Sequence, residues 1–264
     1  MPNTNNYALI TGATSGIGYE LAKLFANDRH NLVIVARNQD ELDRKAAEFK
    51  AYGVDVIAIA KDLSNKEEAF ALCEEIQIKG LQIDVLVNNA GQGVYGLFKD
   101  TEIDRELAIV DLNVASTIIL TKHFVKEMIT RNSGKILNLA SIASTMPGPW
   151  QAVYHGTKAF VLSFTEGLRS ELIDTDITVT ALLPGATDTR FFEKADMLQS
   201  KIIQDKDSLS DPADVAKDGY EALMAGKDKV VSGFKNKMMV GMSNFLPDPM
   251  LAEQMKKQQE PTEE

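Results

Sequence analysis

Short apolar runs that alternate with longer amphipathic segments constrain this sequence more than any other feature. Seven runs are apolar almost throughout and are predicted strands, at 7–11, 31–36, 54–60, 84–90, 134–140, 176–183 and 229–233. Six amphipathic segments are predicted helices, at 16–28, 39–52, 65–79, 102–131, 151–175 and 211–225. Apolar strands separated by helices favour a parallel sheet that is covered on both faces. We therefore predict an α/β fold, a Rossmann-like doubly wound parallel sheet of about seven strands.

The chain is expected to form one domain over residues 1–233, since no linker or internal repeat interrupts that stretch. Within this domain, residues 186–210 form an insertion before the last helix–strand unit, and they are the natural candidate for a lid over a site. Residues 234–264 form a C-terminal extension that passes from a methionine-rich stretch to a charged tail. We expect the end of this extension to be disordered.

Charge and cysteine content exclude several classes of protein. The formal net charge of −10 argues against a nucleic-acid partner and against an anionic membrane surface. Cys73 is the single cysteine, which fits a reducing compartment. The N-terminal segment lacks the features of a signal peptide, and we find no apolar stretch long enough to span a bilayer. A cytoplasmic location is the expectation.

The segment TGATSGIG, residues 11–18, directly follows the first predicted strand and begins the first predicted helix. Gly12 permits a tight turn there, and Gly16 and Gly18 would let the backbone approach phosphates closely. The N-terminus of the helix adds N–H groups and a partial positive charge. Glycine is also common in ordinary strand–helix turns, so this motif alone indicates a nucleotide site only weakly.

Tyr154 and Lys158 lie four residues apart in VYHGTKAF and share one face of a predicted helix. A free phenol titrates near pH ~10. A nearby ammonium favours the phenolate, so we expect Lys158 to lower the pKa of Tyr154 toward neutrality. Ser141 follows the fifth predicted strand, at the carboxyl edge of the sheet. Its hydroxyl and the phenol are expected to converge on one carbonyl oxygen.

These motifs occur together with Asp62, NNAG at 88–91, Asn113 and PGATDT at 184–189. In this combination and order the chain resembles the short-chain dehydrogenase/reductase family, in its single-domain branch. The resemblance covers residue 7 to about residue 233. It implies an NAD(P)-binding catalytic domain with Asp62 at the adenine, NNAG beside the cofactor and PGATDT near the nicotinamide.

Carried over residue by residue, the resemblance implies a set of cofactor contacts. They are Gly12, Thr14, Ser15, Gly16, Ile17, Gly18, Asp62, Leu63, Asn89, Ala90, Gly91, Tyr154, Lys158, Pro184, Gly185, Thr187 and Thr189.

The end of the second predicted strand indicates which nicotinamide cofactor is used. NAD-binding chains usually place a carboxylate there, which accepts from the ribose 2′-hydroxyl. Here that place holds Ala36, followed at once by Arg37. Without the carboxylate a 2′-phosphate is not repelled, and a guanidinium can pair with it directly. We therefore predict that Arg37 contacts the cofactor and that NADP(H) is preferred over NAD(H).

The resemblance also implies roles in catalysis. Tyr154 would be the general acid that protonates the developing alkoxide, and Lys158 would lower its pKa and bind the nicotinamide ribose. Ser141 would hold the substrate oxygen. Asn113 would hold a water that connects Lys158 with solvent. Alternatively, the polar side chain of Asn113 supplies hydrogen bonds at a kink in the helix, and the two roles are compatible.

The substrate side is less well defined by the sequence. We predict that Gln92, Val94, Trp150 and Phe191 line a mainly apolar pocket for a medium-sized lipophilic carbonyl compound. Alternatively, the aromatic residues anchor a loop. His155 is expected to be a pocket wall or a surface residue, because a helix turns it away from the face of Tyr154. No His, Cys or Asp cluster has metal-ligand spacing, so no metal site is predicted.

Three functions are compatible with these residues. The leading hypothesis is an NADP(H)-dependent oxidoreductase that acts on a small-molecule carbonyl compound or alcohol. A 3-oxoacyl thioester reductase is the enzymatic alternative; the net charge of −10 mildly disfavours docking of an acidic acyl carrier protein, and a basic patch around the pocket would reverse that judgement. A non-catalytic NADP(H)-binding sensor or scaffold is the alternative of another class. The resemblance further implies a homodimer or homotetramer that pairs through the helices predicted at 102–131 and 151–175.

Overall fold

Seven parallel strands form the centre of the computed structural model, which describes residues 6–204, 209–243 and 245–262. The order in the sheet is β3-β2-β1-β4-β5-β6-β7, as predicted for a doubly wound α/β fold. The strands are β1 Asn6–Thr11, β2 Asn31–Ala36, β3 Val56–Ala60, β4 Gln82–Asn88, β5 Gly134–Leu139, β6 Ile177–Leu183 and β7 Lys229–Val231.

Helices connect the strands and cover both faces of the sheet. They are α1 Gly16–Asn27, α2 Gln39–Lys50, α3 Lys66–Ile78, α4 Ile103–Val110, α5 Ser116–Arg131, α6 Ala152–Glu171, α7 Phe191–Lys194, α8 Lys201–Gln204, α9 Pro212–Met224, α10 Phe234–Ser243 and α11 Asp248–Gln259. The single helix predicted over 102–131 is instead α4 and α5, joined by a π-helical turn at Asp111–Ala115.

Alternating side chains of each strand supply two separate apolar layers. On β1, Ala8 and Ile10 pack with Phe25 of α1 on one face of the sheet. Leu9 packs on the other face with Leu72 of α3. Because successive residues of a strand point to opposite faces, a strand buried on both sides must be apolar throughout. This requirement explains the continuous apolar runs of the sequence.

Contrary to the expectation that no stretch could span a bilayer, the continuous helical run Ile103–Arg131 is long and apolar enough to cross a membrane, by length and hydropathy only. A core helix of an α/β domain meets the same criteria. Leu120, Phe124 and Met128 of this run are fully buried in the apolar layer beside the sheet.

The insertion and the C-terminal extension are both structured. Residues 186–210 contain the two short helices α7 and α8, apart from 205–208, which lie outside the described residues. The prediction of a disordered end is wrong as far as Thr262. The cause is that Leu251, Met255 and Gln259 of α11 are buried against the domain. Residues 263 and 264 lie outside the described residues.

Candidate active site

A cavity of about 500 Å³ opens at the carboxyl edge of the sheet, where the strand order reverses between β1 and β4. In open α/β sheets this is the place where ligands bind. All of the predicted cofactor residues except Gly18 line the cavity. They are Gly12, Thr14, Ser15, Gly16, Ile17, Arg37, Asp62, Leu63, Asn89, Ala90, Gly91, Tyr154, Lys158, Pro184, Gly185, Thr187 and Thr189.

The turn between β1 and α1 lies tightly against neighbouring loops. Gly12 has a φ of +69° and Gly16 a φ of +58°, a region that strongly favours glycine. A Cβ on Gly16 would lie 2.9 Å from Cγ2 of Thr189, so a side chain there would close the gap between two loops. Ser15 is the N-cap of α1, and within the described part of the chain its hydroxyl makes no capping hydrogen bond. A helix N-terminus of this kind, with its first N–H groups and a hydroxyl beside them, is chemically suited to an anion.

Gly18 has a different role from the predicted one. It lies outside the cavity wall, and a Cβ there would collide with the Gly12 carbonyl oxygen and with Nδ2 of Asn89. That Nδ2 donates a hydrogen bond of 2.7 Å to the carbonyl oxygen of Thr11. The absence of a side chain at Gly18 thus allows the first turn of α1 to pack against the loop after β4, rather than giving access to a phosphate.

Cationic side chains surround the end of the cavity near β2. Arg37, Arg190 and Lys194 all line this end. Nη1 of Arg190 lies 3.4 Å from Oε1 of Glu41, and this hydrogen bond lowers the pKa of the Glu41 carboxyl. Burial lowers the pKa of Lys194, and the charges of Arg190 and Arg37 lower it further. The cavity therefore offers several cations to an anion at this end, with one carboxylate among them.

Ser141, Tyr154 and Lys158 meet on the opposite wall. Ser141 follows β5, and its Oγ accepts a hydrogen bond of 3.1 Å from the N–H of Ala143. A hydrogen bond also joins the Ser141 hydroxyl to the Tyr154 phenol. Lys158 is buried one helical turn beyond Tyr154, and its Nζ lies 5.9 Å from the centre of the tyrosine ring. The three side chains therefore lie together on one wall of the cavity, and the convergence of Ser141 and Tyr154 on a carbonyl oxygen stays a prediction.

The pKa of Tyr154 is raised in the structure, although the spacing from Lys158 predicted that it would be lowered. Burial raises the pKa of Tyr154 to about 12, and the hydrogen bond with Ser141 opposes that rise. Burial also lowers the pKa of Lys158 to about 8. The Lys158 ammonium donates a hydrogen bond of 2.7 Å to the carbonyl oxygen of Leu139 instead of contacting the phenol oxygen. Desolvation, which sequence spacing does not reveal, therefore sets the direction of the shift.

Asn113 lies behind the cavity wall, in the π-helical turn. Its Nδ2 donates to the carbonyl oxygen of Gln92 at 2.9 Å and to Oγ1 of Thr157 at 3.0 Å, while Oδ1 accepts from the N–H of Gln92 at 3.0 Å. A Cβ on Gly91 would lie 3.3 Å from both Asn113 Oδ1 and Lys158 Nζ. Asn113 therefore holds the loop after β4 beside Lys158. The π-helical turn fits the predicted helix kink.

The predicted substrate residues divide into two groups. Gln92, Val94 and Phe191 line the cavity, and the Phe191 ring lies 5.3 Å from the Tyr154 ring. Trp150 was predicted to line the pocket, and this prediction is wrong. Its indole lies outside the cavity wall and stacks on Tyr95 at 5.5 Å. Trp150 thus anchors a loop, the alternative that the sequence left open.

Sequence reasoning missed the contribution of α11. Met255 and Gln259 line the cavity, although they belong to a segment with a charged, polar composition. Leu251, Met255 and Gln259 recur every fourth residue, and this i, i+4, i+8 pattern was the signal that could have identified a buried helix face. His155 is a wall residue, one of the two positions expected for it, and it is buried rather than on the surface.

Clusters of metal-ligating side chains are absent from the described part of the chain. Over residues 6–204, 209–243 and 245–262, no three His, Cys, Asp or Glu side chains are placed to hold a metal ion.

Comparison with known proteins identifies relatives of this chain. Residues 6–199 match the family described as short chain dehydrogenase. An uncharacterized oxidoreductase of Bacillus subtilis, YvrD, is 38% identical over 179 residues, which cover 68% of this chain and 67% of YvrD. The ketoacyl reductase HetN of Nostoc is 32% identical over 182 residues, which cover 69% of this chain and 63% of HetN.

A solved structure extends the similarity to the fold. It is a short-chain dehydrogenase from Sphingobium yanoikuyae in complex with NADPH, 26% identical with a TM-score of 0.81. The superposition covers 92% of this chain and 96% of that chain.

Proposed function

Because the chain belongs to the short-chain dehydrogenase family, we propose that this oxidoreductase uses NADP(H) and acts on a lipophilic carbonyl compound or the corresponding alcohol. One observation carries the proposal. Ser141, Tyr154 and Lys158 lie together on the wall of a single cavity, across from the glycine turn after β1.

The residues present fit a dinucleotide. Gly12 and Gly16 let the turn before α1 lie against the loops that carry Asn89 and Thr189, where a Cβ would collide, and the Ser15 hydroxyl adds a hydrogen-bonding group there. Such a turn would hold the pyrophosphate. Arg37, with Arg190 and Lys194 nearby, would pair with a 2′-phosphate. The Sphingobium short-chain dehydrogenase binds NADPH, which agrees with this choice of cofactor.

Tyr154 would act as the acid in reduction. The bound nicotinamide supplies or accepts the hydride. Burial raises the pKa of the phenol to about 12, so at neutral pH it carries the proton that the substrate oxygen needs. The Ser141 hydroxyl would hold the same oxygen, and the buried Lys158 ammonium would stabilise the phenolate left behind.

The test is loss of nicotinamide absorbance with NADPH or NADH, measured against a panel of aldehydes, ketones and 3-oxoacyl thioesters. We expect turnover with NADPH and a loss of about 10²–10⁴-fold in Tyr154→Phe, the range for removal of a general acid. Tyr52→Phe, the same change in the turn after α2, is the control and should keep the rate. An active Tyr154→Phe variant would overturn the proposed role. Tight NADPH binding without turnover on any carbonyl would replace the enzyme by the sensor hypothesis.

A 3-oxoacyl thioester is the second candidate substrate, favoured by the similarity to the ketoacyl reductase HetN. Its docking partner would be an acidic acyl carrier protein. Near the cavity, the cations Arg190 and Arg105 are each paired with a carboxylate of this chain, Glu41 and Asp196 respectively. Because these cations are already paired and the net charge of the chain is −10, the surface near the cavity offers little attraction to an acidic carrier protein. We therefore rank the thioester below the free carbonyl compound as a substrate. A higher kcat/KM for thioesters than for ketones in the same panel would reverse the order.

We also propose that the chain forms a homodimer or homotetramer through α4, α5 and α6. These helices leave apolar side chains exposed, among them Ile103 and Leu107 on α4, Ile118 on α5 and Phe160 on α6. Phe160 stacks on Phe164 at 5.8 Å. A second copy would remove these groups from water. Light scattering should show a multiple of 29.0 kDa that falls in Phe160→Glu; an unchanged mass in that variant would contradict the interface.

A further inference from the structure

A second cavity of about 280 Å³ lies between α10, α11 and the turn after β5. Five of the ten methionines of the chain line it: Met146, Met238, Met239, Met242 and Met255. Two leucines complete the apolar wall, together with the side chains of one lysine and one glutamine. A pocket with this lining accepts hydrocarbon and offers very few hydrogen-bonding groups to it.

The two cavities share part of their walls. Met146 and Met255 line the methionine cavity and also the 500 Å³ cavity that contains Tyr154. Both are buried, and each separates the cavities with an unbranched thioether side chain. Methionine has three rotatable bonds and adapts its shape to neighbouring groups. A flexible ligand could therefore extend from one cavity into the other with little more than rotation of these two side chains.

We propose that the methionine cavity binds the aliphatic tail of the substrate whose carbonyl group lies at Tyr154. This inference rests on the proposed function for the carbonyl end of the ligand. The wall shared with the catalytic cavity at Met146 and Met255 and the nearly uniform apolar lining favour a flexible open-chain compound over a compact one. The substrate class is thus an aldehyde, a ketone or the corresponding alcohol with a long unbranched alkyl chain.

The outer wall of the methionine cavity is open to solvent. Met238 and Met242 are 54% and 55% exposed, one helical turn apart on α10. A tail that enters between α10 and α11 would cover them. Each methylene transferred from water to this wall should raise kcat/KM about fourfold, the gain that burial of one CH₂ provides.

A series of methyl ketones of increasing chain length tests the subsite by kcat/KM with NADPH. In the wild type we expect a rise of about fourfold per methylene over the chain lengths that reach the methionine cavity. Met238→Glu places a carboxylate in the wall, so its deficit should grow with chain length. Met250→Glu is the matched control, since Met250 is 59% exposed on α11 and lies outside the wall. A flat chain-length profile in the wild type overturns the proposal.

Binding without turnover separates this proposal from the proposed function. The probe is N-phenyl-1-naphthylamine, whose fluorescence rises in apolar surroundings, and the competitor is decan-1-ol. We expect the alcohol to displace the probe, with an affinity about tenfold or more lower in Met238→Glu and unchanged in Met250→Glu. If decan-1-ol displaces the probe but the protein reduces no carbonyl compound, the methionine cavity is upheld as a site for an alkyl chain and the proposed reductase activity is overturned. Equal affinity for decan-1-ol in the wild type, Met238→Glu and Met250→Glu would overturn the proposal that the methionine cavity binds an alkyl chain. A change of oligomeric mass in Met238→Glu, with alcohol affinity unaltered, would assign the face to contact between copies instead.

Discussion

Gln259 on α11 donates a hydrogen bond through Nε2 to Nε2 of His155, at 3.2 Å. The direction follows from the other ring nitrogen, since Nδ1 of His155 lies 2.8 Å from the carbonyl oxygen of Met146, which can only accept. Burial lowers the pKa of His155, so the ring is neutral with its proton on Nδ1. The C-terminal helix is thereby joined to the residue that follows Tyr154.

Replacement of this donor should destabilise the protein. In Gln259→Leu the buried Nε2 of His155 loses its partner, and we expect a loss of about 1–2 kcal/mol in the free energy of unfolding. The main-chain contacts of α11 are kept, because Ser200 donates to the carbonyl oxygen of Gln259 at 3.0 Å. Urea denaturation measures the effect. Gln258→Leu is the control, expected within about 0.5 kcal/mol of the wild type, and equal losses in the two variants would contradict the role of the amide.

Burial of the Lys158 ammonium should make stability depend on pH. Its pKa is lowered from 10.5 to about 8, so between those values the unfolded chain binds a proton that the folded chain does not. Stability therefore rises with pH in that window, and the cost of burying the charge is fully present below about pH 8. We expect Lys158→Met to be more stable than the wild type at pH 7.

The shift corresponds to about 3 kcal/mol, from which about 1 is subtracted for the lost hydrogen bond to Leu139. The advantage of Lys158→Met should shrink as the pH rises above 8. Urea denaturation between pH 6 and pH 10 is the measurement, with Lys126→Met on the exposed side of α5 as the control. A difference that stays constant across this range would show that burial of the charge is not its cause.

Reversal of the charge after β2 should change cofactor preference. In Arg37→Glu a carboxylate replaces the guanidinium that would pair with a 2′-phosphate. We expect the Kd for NADPH to rise about 10–100-fold more than the Kd for NADH, the range for a charge-assisted hydrogen bond. Fluorescence titration of both cofactors measures this. Arg44→Glu, an exposed change on α2, is the control and should change the Kd for NADPH and the Kd for NADH by the same factor. If Arg37→Glu also changes both Kd values by the same factor, the argument that the chain prefers NADP(H) is removed.

Two glycine-to-alanine changes in helices should have opposite effects. Gly18→Ala places a methyl group against the Gly12 carbonyl oxygen and Nδ2 of Asn89, so we expect a loss of about 1–3 kcal/mol from overpacking. Gly167 on α6 has nothing within 4 Å of an added Cβ, and Gly167→Ala should add about 0.5–1 kcal/mol through helix propensity. Thermal unfolding measures both changes. A stable Gly18→Ala variant would show that the first turn of α1 can move away from β4.

The sequence predicted those features that depend on neighbours along the chain. The strand–glycine–helix order, the i, i+4 spacing of Tyr154 and Lys158, and the position of Ser141 after β5 are all local. Because parallel strands end at one edge of the sheet, local order was enough to bring these groups to one cavity. The predicted sheet is confirmed for the same reason.

What the sequence did not predict depends on tertiary contacts. The raised pKa of Tyr154 comes from burial, and the stacking of Trp150 on Tyr95 joins two loops that are far apart in sequence. Helix α11 has a polar composition, and only the i, i+4, i+8 spacing of Leu251, Met255 and Gln259 indicates a buried face, while the cavity that this face covers is formed by tertiary contacts. Gly18 belongs to the glycine motif by its spacing, but the side chain that it packs against, Asn89, lies in the loop after β4 and is distant in sequence.

The five methionines of the second cavity also make the protein sensitive to oxidants. Peroxide converts a thioether to a sulfoxide, which is polar and chiral where the methionine was apolar. Met238 and Met242 are more than half exposed, so they react before the buried Met146 and Met255. Oxidative stress would then abolish the preference for long alkyl chains first and leave Ser141, Tyr154 and Lys158 intact, and methionine sulfoxide reductases would restore that preference.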